Sequence, residues 1–283
     1  MSEAAAAPQR RLILCADDYG LAPGVNAAIR DLIAAGRLNA TSVMVVTPHC
    51  DAAAAEQLTR LNAERPRVAI GLHLTLTAPF APSAPAFKPL RNGRFLPIGR
   101  MMAAAFARRI APAPLRAEIA AQFASFARLF GRPPDFVDGH QHVHLLPQVR
   151  EALLEAMAAR APGAWVRQCG QIRTRLADPK GLLIDQLSRR FRRLAAAGGI
   201  GTNPAFAGTY SYRPDADFAA LFPRFLDGLP DSGLVMCHPG RVDAELTRLD
   251  PLTDLREAEY RYLAGPDFPR LLAERGFTLV PPG

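Results

Sequence analysis

Arg11–Asp18, RLILCADD, is the stretch on which the fold turns. Leu12 to Ala16 form an apolar run too short for a helix, so Arg11–Ala16 reads as a buried strand. Two aspartates follow at once, where the chain leaves the core. Downstream, the same pairing of an apolar run and a polar end recurs: His73 follows VAIGL, His140 follows FVDG and His238 follows LVMC. Polar groups at the ends of successive strands, each followed by a loop and a helix, are what a barrel-type active site requires.

The intervening patterns agree with an α/β chain. Helices are expected over Pro23–Ala35, Asp51–Glu64, Arg116–Phe130 and Gln148–Ala161. Further strands are expected over Thr41–Val46, Val68–Thr77, Phe136–Leu145, Ala164–Gln168, Gly233–His238 and Phe277–Val280. Pro79–Gly99 holds five prolines and little periodicity. It reads as a long excursion over one end of the fold, the kind of loop that tends to carry function. No internal repeat or linker divides the chain, so residues 11–283 are expected to form one domain behind a disordered tail over residues 1–10.

Composition excludes little but sets a frame. At 283 residues and 49% hydrophobic, the chain can build a sizeable core. No stretch is long and apolar enough for a transmembrane helix, and Leu12–Ala16 is too short for a signal-peptide core, so a cytoplasmic protein is expected. Cys15, Cys50, Cys169 and Cys237 are scattered without a C-x-x-C pair, which suits reduced core thiols. The net charge of +8 comes almost wholly from arginine, Lys88 and Lys180 being the lysines. It favours anionic partners only weakly.

The chemistry lies in four places. Asp17 and Asp18 are costly after a buried strand unless paired or metal-bound. Adjacent strand residues face apart, so one can ligate a metal while the other faces substrate or an attacking water; alternatively, one caps the next helix. His73, in GLHLTLT, taken alone suits a hydrogen-bonded core position better than a ligand. His140, His142 and His144 would share one face of an extended strand, and unengaged imidazoles stacked there would repel once protonated, which favours metal ligation by some of them. His238, before Pro239-Gly240, ends a strand and suits a general acid or base, or a surface turn. Carboxylates and histidines without a serine elbow or a phosphate-binding glycine loop suggest metal-assisted hydrolysis.

ADDYGL (Ala16–Leu21), the N-x-x-I of Asn26–Ile29, TSVMV (Thr41–Val45), GLHLTLT (Gly71–Thr77), DGHQHVHLLPQV (Asp138–Val149) and MCHPG (Met236–Gly240) together resemble the YdjC-type carbohydrate deacetylases. That family includes chitooligosaccharide and hopanoid-biosynthesis deacetylases. Tyr19 stands where Phe is commoner, and Gln141 where some members carry histidine. The resemblance implies a (β/α) barrel-like single domain, a NodB/TIM-like deformed barrel. It implies hydrolysis of the N-acetyl group of an amino sugar, lipid-linked (hopanoid) or chitooligosaccharide. It implies one divalent ion, Mg²⁺ or Zn²⁺, on Asp18, His73 and His140, with Asp17 as base and His238 as acid. One carboxylate and two imidazoles suit zinc or another transition ion better than magnesium.

Asp178–Gly199 reads as a basic amphipathic helix, with Leu183, Leu187, Phe191 and Leu194 on one side and Arg189, Arg190, Arg192 and Arg193 nearby. It fits either peripheral contact with an anionic membrane or an outer helix with its basic side in water. A homodimer is compatible with all of this. The rival readings are a metal-dependent hydrolase acting on another amide or a phosphoester, and a nucleic-acid-binding module. The last has no recognised motif or interleaved aromatics, and no nucleic acid is expected.

Overall fold

A parallel sheet is built outward from the first strand, β1 (Arg10–Tyr19), in the computed structural model, which describes residues 9–64, 68–172 and 179–280. The chain continues through α1 (Pro23–Ala34), β2 (Ala40–Val43), α2 (Ala52–Glu64), β3 (Ala69–Leu74), β4 (Leu90–Arg91), β5 (Arg94–Phe95), α3 (Ile98–Phe106), α4 (Pro112–Phe130) and β6 (Phe136–Gly139). A 3-10 turn, His140–Leu145, leads to α5 (Val149–Arg160), β7 (Trp165–Val166), α6 (Pro179–Ala197), β8 (Phe206–Ala207), α7 (Phe218–Phe225) and β9 (Gly233–Cys237). Then come α8 (Ala244–Leu249), α9 (Thr253–Ala264), α10 (Asp267–Glu274) and β10 (Phe277–Leu279).

The strands of the main sheet run β7-β6-β3-β2-β1-β9-β8, with β10 beside the start of β1. All these pairings are parallel, and β1, β2, β3, β6 and β9 are buried almost throughout. This is why their sequences are near-continuous apolar runs. The sheet curls until its edges approach through the isolated bridges Val166↔Thr202 and Gln171↔Phe206. The expected barrel-like α/β domain is therefore present in deformed form. Gly71 on β3 is required by packing: a Cβ there would sit 2.5 Å from the Phe136 ring.

Three expectations need correction. The strand expected over Phe136–Leu145 stops at Gly139, because Gln141 (φ 53°) and His142 (φ 60°) turn the chain left-handed into the 3-10 helix. His140, His142 and His144 consequently do not share a strand face. The excursion Pro79–Gly99 is partly regular: β4 and β5 form a hairpin around Asn92-Gly93, and α3 starts at Ile98. Glu118 on α4 anchors it by accepting from the backbone N–H groups of Ser83 (3.1 Å) and Ala84 (2.6 Å). Thirdly, Arg10, assigned to the tail, lies in β1 and pairs with Phe277; residues 1–8 lie outside the described residues. So does Asp178, the first residue of the expected basic helix.

Candidate active site

The polar ends of the strands meet in one cavity of about 340 Å³, lined by Asp17, Asp18, His73, His140 and His238 among others. The five residues to which the resemblance assigns metal or proton-transfer roles are thus brought together. The pairing of β1 with β2 shifts register between Ala16 and Tyr19, and Asp18 takes φ 72°. Through this bulge both aspartates reach the cavity, instead of facing opposite sides of the sheet as an unbroken strand would require.

Asp18 Oδ1 lies 3.2 Å from His73 Nε2 and 3.1 Å from His140 Nδ1, and these atoms form a potential metal-ligand cluster. Its other oxygen, Oδ2, accepts from Arg256 Nη2 at 2.5 Å. Burial pushes the Asp18 pKa up, but the Arg256 guanidinium and the two imidazoles more than offset it and hold the carboxyl well below its usual range. His73 turns Nδ1 toward Asp138 Oδ1 at 2.6 Å. With Nδ1 donating to that bond, Nε2 faces Asp18, the orientation of a metal-ligating histidine backed by a carboxylate, and a bound ion would replace the Nε2 proton. Burial lowers the His73 pKa, yet Asp138 outweighs it and raises it to about 10. The site thus draws positive charge into the space between His73 and Asp18.

Asp17 is held differently. Arg167 donates to both of its oxygens, Nη1 to Oδ2 at 2.7 Å and Nη2 to Oδ1 at 2.6 Å. Burial raises the Asp17 pKa, and the Arg167 guanidinium overcomes it, leaving it lowered to about 2. Arg167 Nη2 also lies 2.6 Å from Asp138 Oδ2, an ion pair without hydrogen-bond alignment. A second group of potential ligand atoms, Cys15, Asp17 and Asp138, is therefore filled by the guanidinium, whose Nη2 is also 2.9 Å from Cys15 Sγ. No ion is needed there.

His238 closes the opposite side, with Nε2 4.0 Å from Asp17 Oδ2. Its backbone N–H donates to Glu259 Oε2 (2.5 Å), and Tyr210 donates to Glu259 Oε1 (2.6 Å). The other two histidines of the motif do different work. His144 is fully buried, with Nε2 2.9 Å from the Arg167 carbonyl oxygen, and burial lowers its pKa to about 4. His142 borders the cavity and has Nδ1 3.4 Å from Cys169 Sγ. Neither belongs to the Asp18 cluster.

Arg167, Arg256, Asp138 and Glu259 are the site residues that sequence reasoning did not assign. Arg167 follows the strand Trp165–Val166, so the strand-end rule that picked out the histidines also applies to it. Asp138 stands inside the DGHQH motif. Arg256 and Glu259 lie on α9, where helical periodicity carries no such signal.

The donor set fits a divalent cation on a further ground. Asp17, Asp18, Asp138 and Asp250 surround Arg167 and Arg256, so four carboxylates face two guanidiniums. The two guanidiniums alone do not balance these carboxylates, and a cation between Asp18 and the imidazoles would offset charge that is otherwise costly at such burial.

A parallel α/β barrel-like sheet with one convergent acidic and imidazole site at its strand ends defines the class of protein. The chain belongs to the family of YdjC-like proteins, whose model matches residues 11–274. It is 29% identical over 276 residues to a chitooligosaccharide deacetylase of Serratia marcescens, covering 96% of this chain and 97% of that one. It is also 29% identical over 273 residues to a chitooligosaccharide deacetylase of Proteus mirabilis, covering 95% and 96%. A solved structure from Enterococcus faecalis, described as a cellobiose-phosphate cleavage protein, superposes with a TM-score of 0.73 at 22% identity, covering 96% of this chain and 97% of that one. This last likeness concerns the fold.

Proposed function

We propose that this protein is a metal-dependent carbohydrate N-deacetylase, hydrolysing the acetamido group of an amino sugar. The observation that carries the reading is the convergence of Asp18 Oδ1, His73 Nε2 and His140 Nδ1 beside a separately tethered Asp17 and His238. Asp18, His73 and His140 would hold the ion, and the mixed oxygen and nitrogen donors suit zinc or another transition ion. A divalent ion there supplies polarisation of the acetyl carbonyl and a lowered pKa for water.

The chain's own residues divide the proton transfers. Asp17, ionised at neutral pH and oriented by Arg167, accepts the proton of the attacking water. His238, through Nε2, delivers a proton to the departing amine nitrogen. Arg167 uses one lone pair on each Asp17 oxygen and so leaves the carboxylate free to accept.

The cavity wall bears on the substrate. Phe80, Ile98, Met102, Leu183, Ile184 and Leu187 line it, an apolar surface suited to a sugar carried on a hydrocarbon more than to a free oligosaccharide. We therefore favour a lipid-linked substrate, of which a glycosylated hopanoid is one, over a chitooligosaccharide. Hydrolysis of a phosphoester with the same ligands is the second reading. It is disfavoured because Arg256 is the sole arginine or lysine among the described lining residues, and Asp18 and Asp250 already hold it.

Acetate release from N-acetylglucosaminyl lipids and from chitooligosaccharides, and phosphate release from phosphoesters, each after chelation and metal restoration, tests the proposal. Metal-dependent acetate release is expected, greatest from the lipid conjugate. Phosphate release without acetate release would replace the deacetylase reading.

A further inference from the structure

The positive charge of this protein is not spread over its surface. Residues 78–117, which include the Pro-rich excursion and α3, contain Lys88, Arg91, Arg94, Arg100, Arg108, Arg109 and Arg116 and no acidic residue. Residues 186–212, from the middle of α6 just after Asp185, contain Arg189, Arg190, Arg192 and Arg193 and again no acid. Together these segments hold eleven of the 34 basic residues and none of the 26 acidic ones. The remaining 23 basic residues against 26 acidic leave the rest of the chain at −3, so the whole net charge of +8 resides on these two segments.

Both segments border the cavity and pack on the 3-10 turn of the histidine motif. Ile98 and Met102 of α3 and Leu183, Ile184 and Leu187 of α6 line the wall. Each helix carries exposed basic residues together with an exposed apolar one: Arg100 on α3, Phe106 (48% exposed) at its end and Arg108 and Arg109 just after it, and Leu182 (39% exposed) with the four arginines of α6.

The α6 arginines are placed at a cost to the helix. Arg189–Arg192, Arg190–Arg193 and Arg189–Arg193 are like-charge pairs at i,i+3 and i,i+4 spacing, which destabilise a helix. Among the described residues none of the four makes an ion pair. Elsewhere the surface arginines are matched at the same spacing by acids, as in Arg60–Glu56, Arg248–Glu245 and Arg270–Asp267. A solvated helix face would gain from such matching; in α6 the acid at that spacing, Asp185 four residues before Arg189, accepts instead from the backbone N–H of Gln171.

We propose that the rim formed by α3 and α6 docks on an anionic lipid bilayer. The arginines of both helices face the headgroups, Phe106 and Leu182 enter the interface, and the apolar wall opens toward the membrane. A basic, apolar-tipped surface gains both electrostatic and burial energy there. A nucleic acid would use the charge but leave Leu182 and the apolar wall without a role; among the described residues Phe106 is the one aromatic in the set of large exposed apolar side chains. The proposal does not rest on the deacetylase reading, since it concerns binding without turnover.

The test is co-sedimentation of the full chain with vesicles of equimolar phosphatidylcholine and phosphatidylglycerol, against phosphatidylcholine alone, at about 0.1 M salt. Binding is expected only with phosphatidylglycerol present, weakening as salt rises. Replacing Arg189, Arg190, Arg192 and Arg193 together by Gln should lower partitioning by roughly 100- to 1000-fold at ~1 kcal/mol per arginine. Phe106→Ser with Leu182→Ser should weaken it less and leave its salt dependence in place. Unchanged thermal melting of the variants shows that they fold. Equal binding to both vesicle types, undiminished binding of the quadruple variant, or stronger binding to duplex DNA than to the anionic vesicles would overturn the proposal.

Discussion

Asp17 and Asp18 are neighbours in sequence, equally buried, and each held by a buried arginine that also reaches a second aspartate: Arg167 to Asp138, and Arg256 to Asp250. They nevertheless end in different chemistry. Arg167 takes both oxygens of Asp17, while Arg256 takes only Oδ2 of Asp18 and leaves Oδ1 facing two imidazoles. The difference teaches that two identical side chains are given separate roles by what their guanidinium leaves uncovered. A carboxylate clamped at both oxygens stays ionised and oriented; one clamped at a single oxygen keeps a ligand atom to offer.

Breaking the Asp18 half should have the largest effect. His140→Ala removes one of the three ligand atoms of the cluster, and divalent metal binding and turnover should both be abolished; titration calorimetry with Zn²⁺ or Co²⁺ reads the first, acetate release the second. Asp17→Asn should give the complementary result, unchanged metal affinity with turnover down by about 10²–10⁴. Loss of the metal in Asp17→Asn, or turnover near that of the unaltered protein, would collapse the distinction between the two carboxylates.

The arginines allow a sharper comparison. Arg167→Met strips Asp17 of the clamp on both its oxygens and leaves Asp138 with His73 alone, both carboxylates buried, and should cost about 3–5 kcal/mol of stability. Arg256→Met should cost clearly less, because Asp18 keeps two imidazole partners and Asp250 is 13% exposed and can reach water. Urea unfolding of the metal-free variants measures both. A larger loss for Arg256→Met would show that the Asp18 half, not the Asp17 half, is the one that depends on its guanidinium.

What was legible in the sequence follows from how local each signal is. The strand ends carrying Asp17, Asp18, His73, His140 and His238 could be read because an apolar run followed by a polar residue is a local pattern. The bulge at Asp18 and the left-handed turn at Gln141-His142 could not, since Asp, Gln and His do not mark a positive φ in sequence as glycine, which adopts it without a Cβ clash, often does. Period-2 reasoning consequently grouped His140 with His144, which faces the Arg167 carbonyl oxygen in the core. The two-residue strand β8 is too short to show alternation. Arg256 comes from a helix 238 residues beyond Asp18, and that pairing is a property of the fold.

Asp138 joins the two halves, and its replacement is the mildest and most discriminating of the changes. It accepts from His73 Nδ1 on one side and neutralises Arg167 on the other. Asp138→Asn can preserve the hydrogen bond to His73, and with it the ring orientation, but removes the charge that makes His73 Nε2 more basic. Metal affinity should fall by about 10- to 100-fold, the usual cost of losing a carboxylate behind a ligating histidine. Turnover at limiting metal should fall with it and recover as metal is raised to saturation. Asp17→Asn should show no such recovery, because its defect lies in proton transfer. If saturating metal fails to restore Asp138→Asn, the carboxylate acts chiefly through Arg167 and Asp17, and the boundary between the two halves lies on the other side of Asp138.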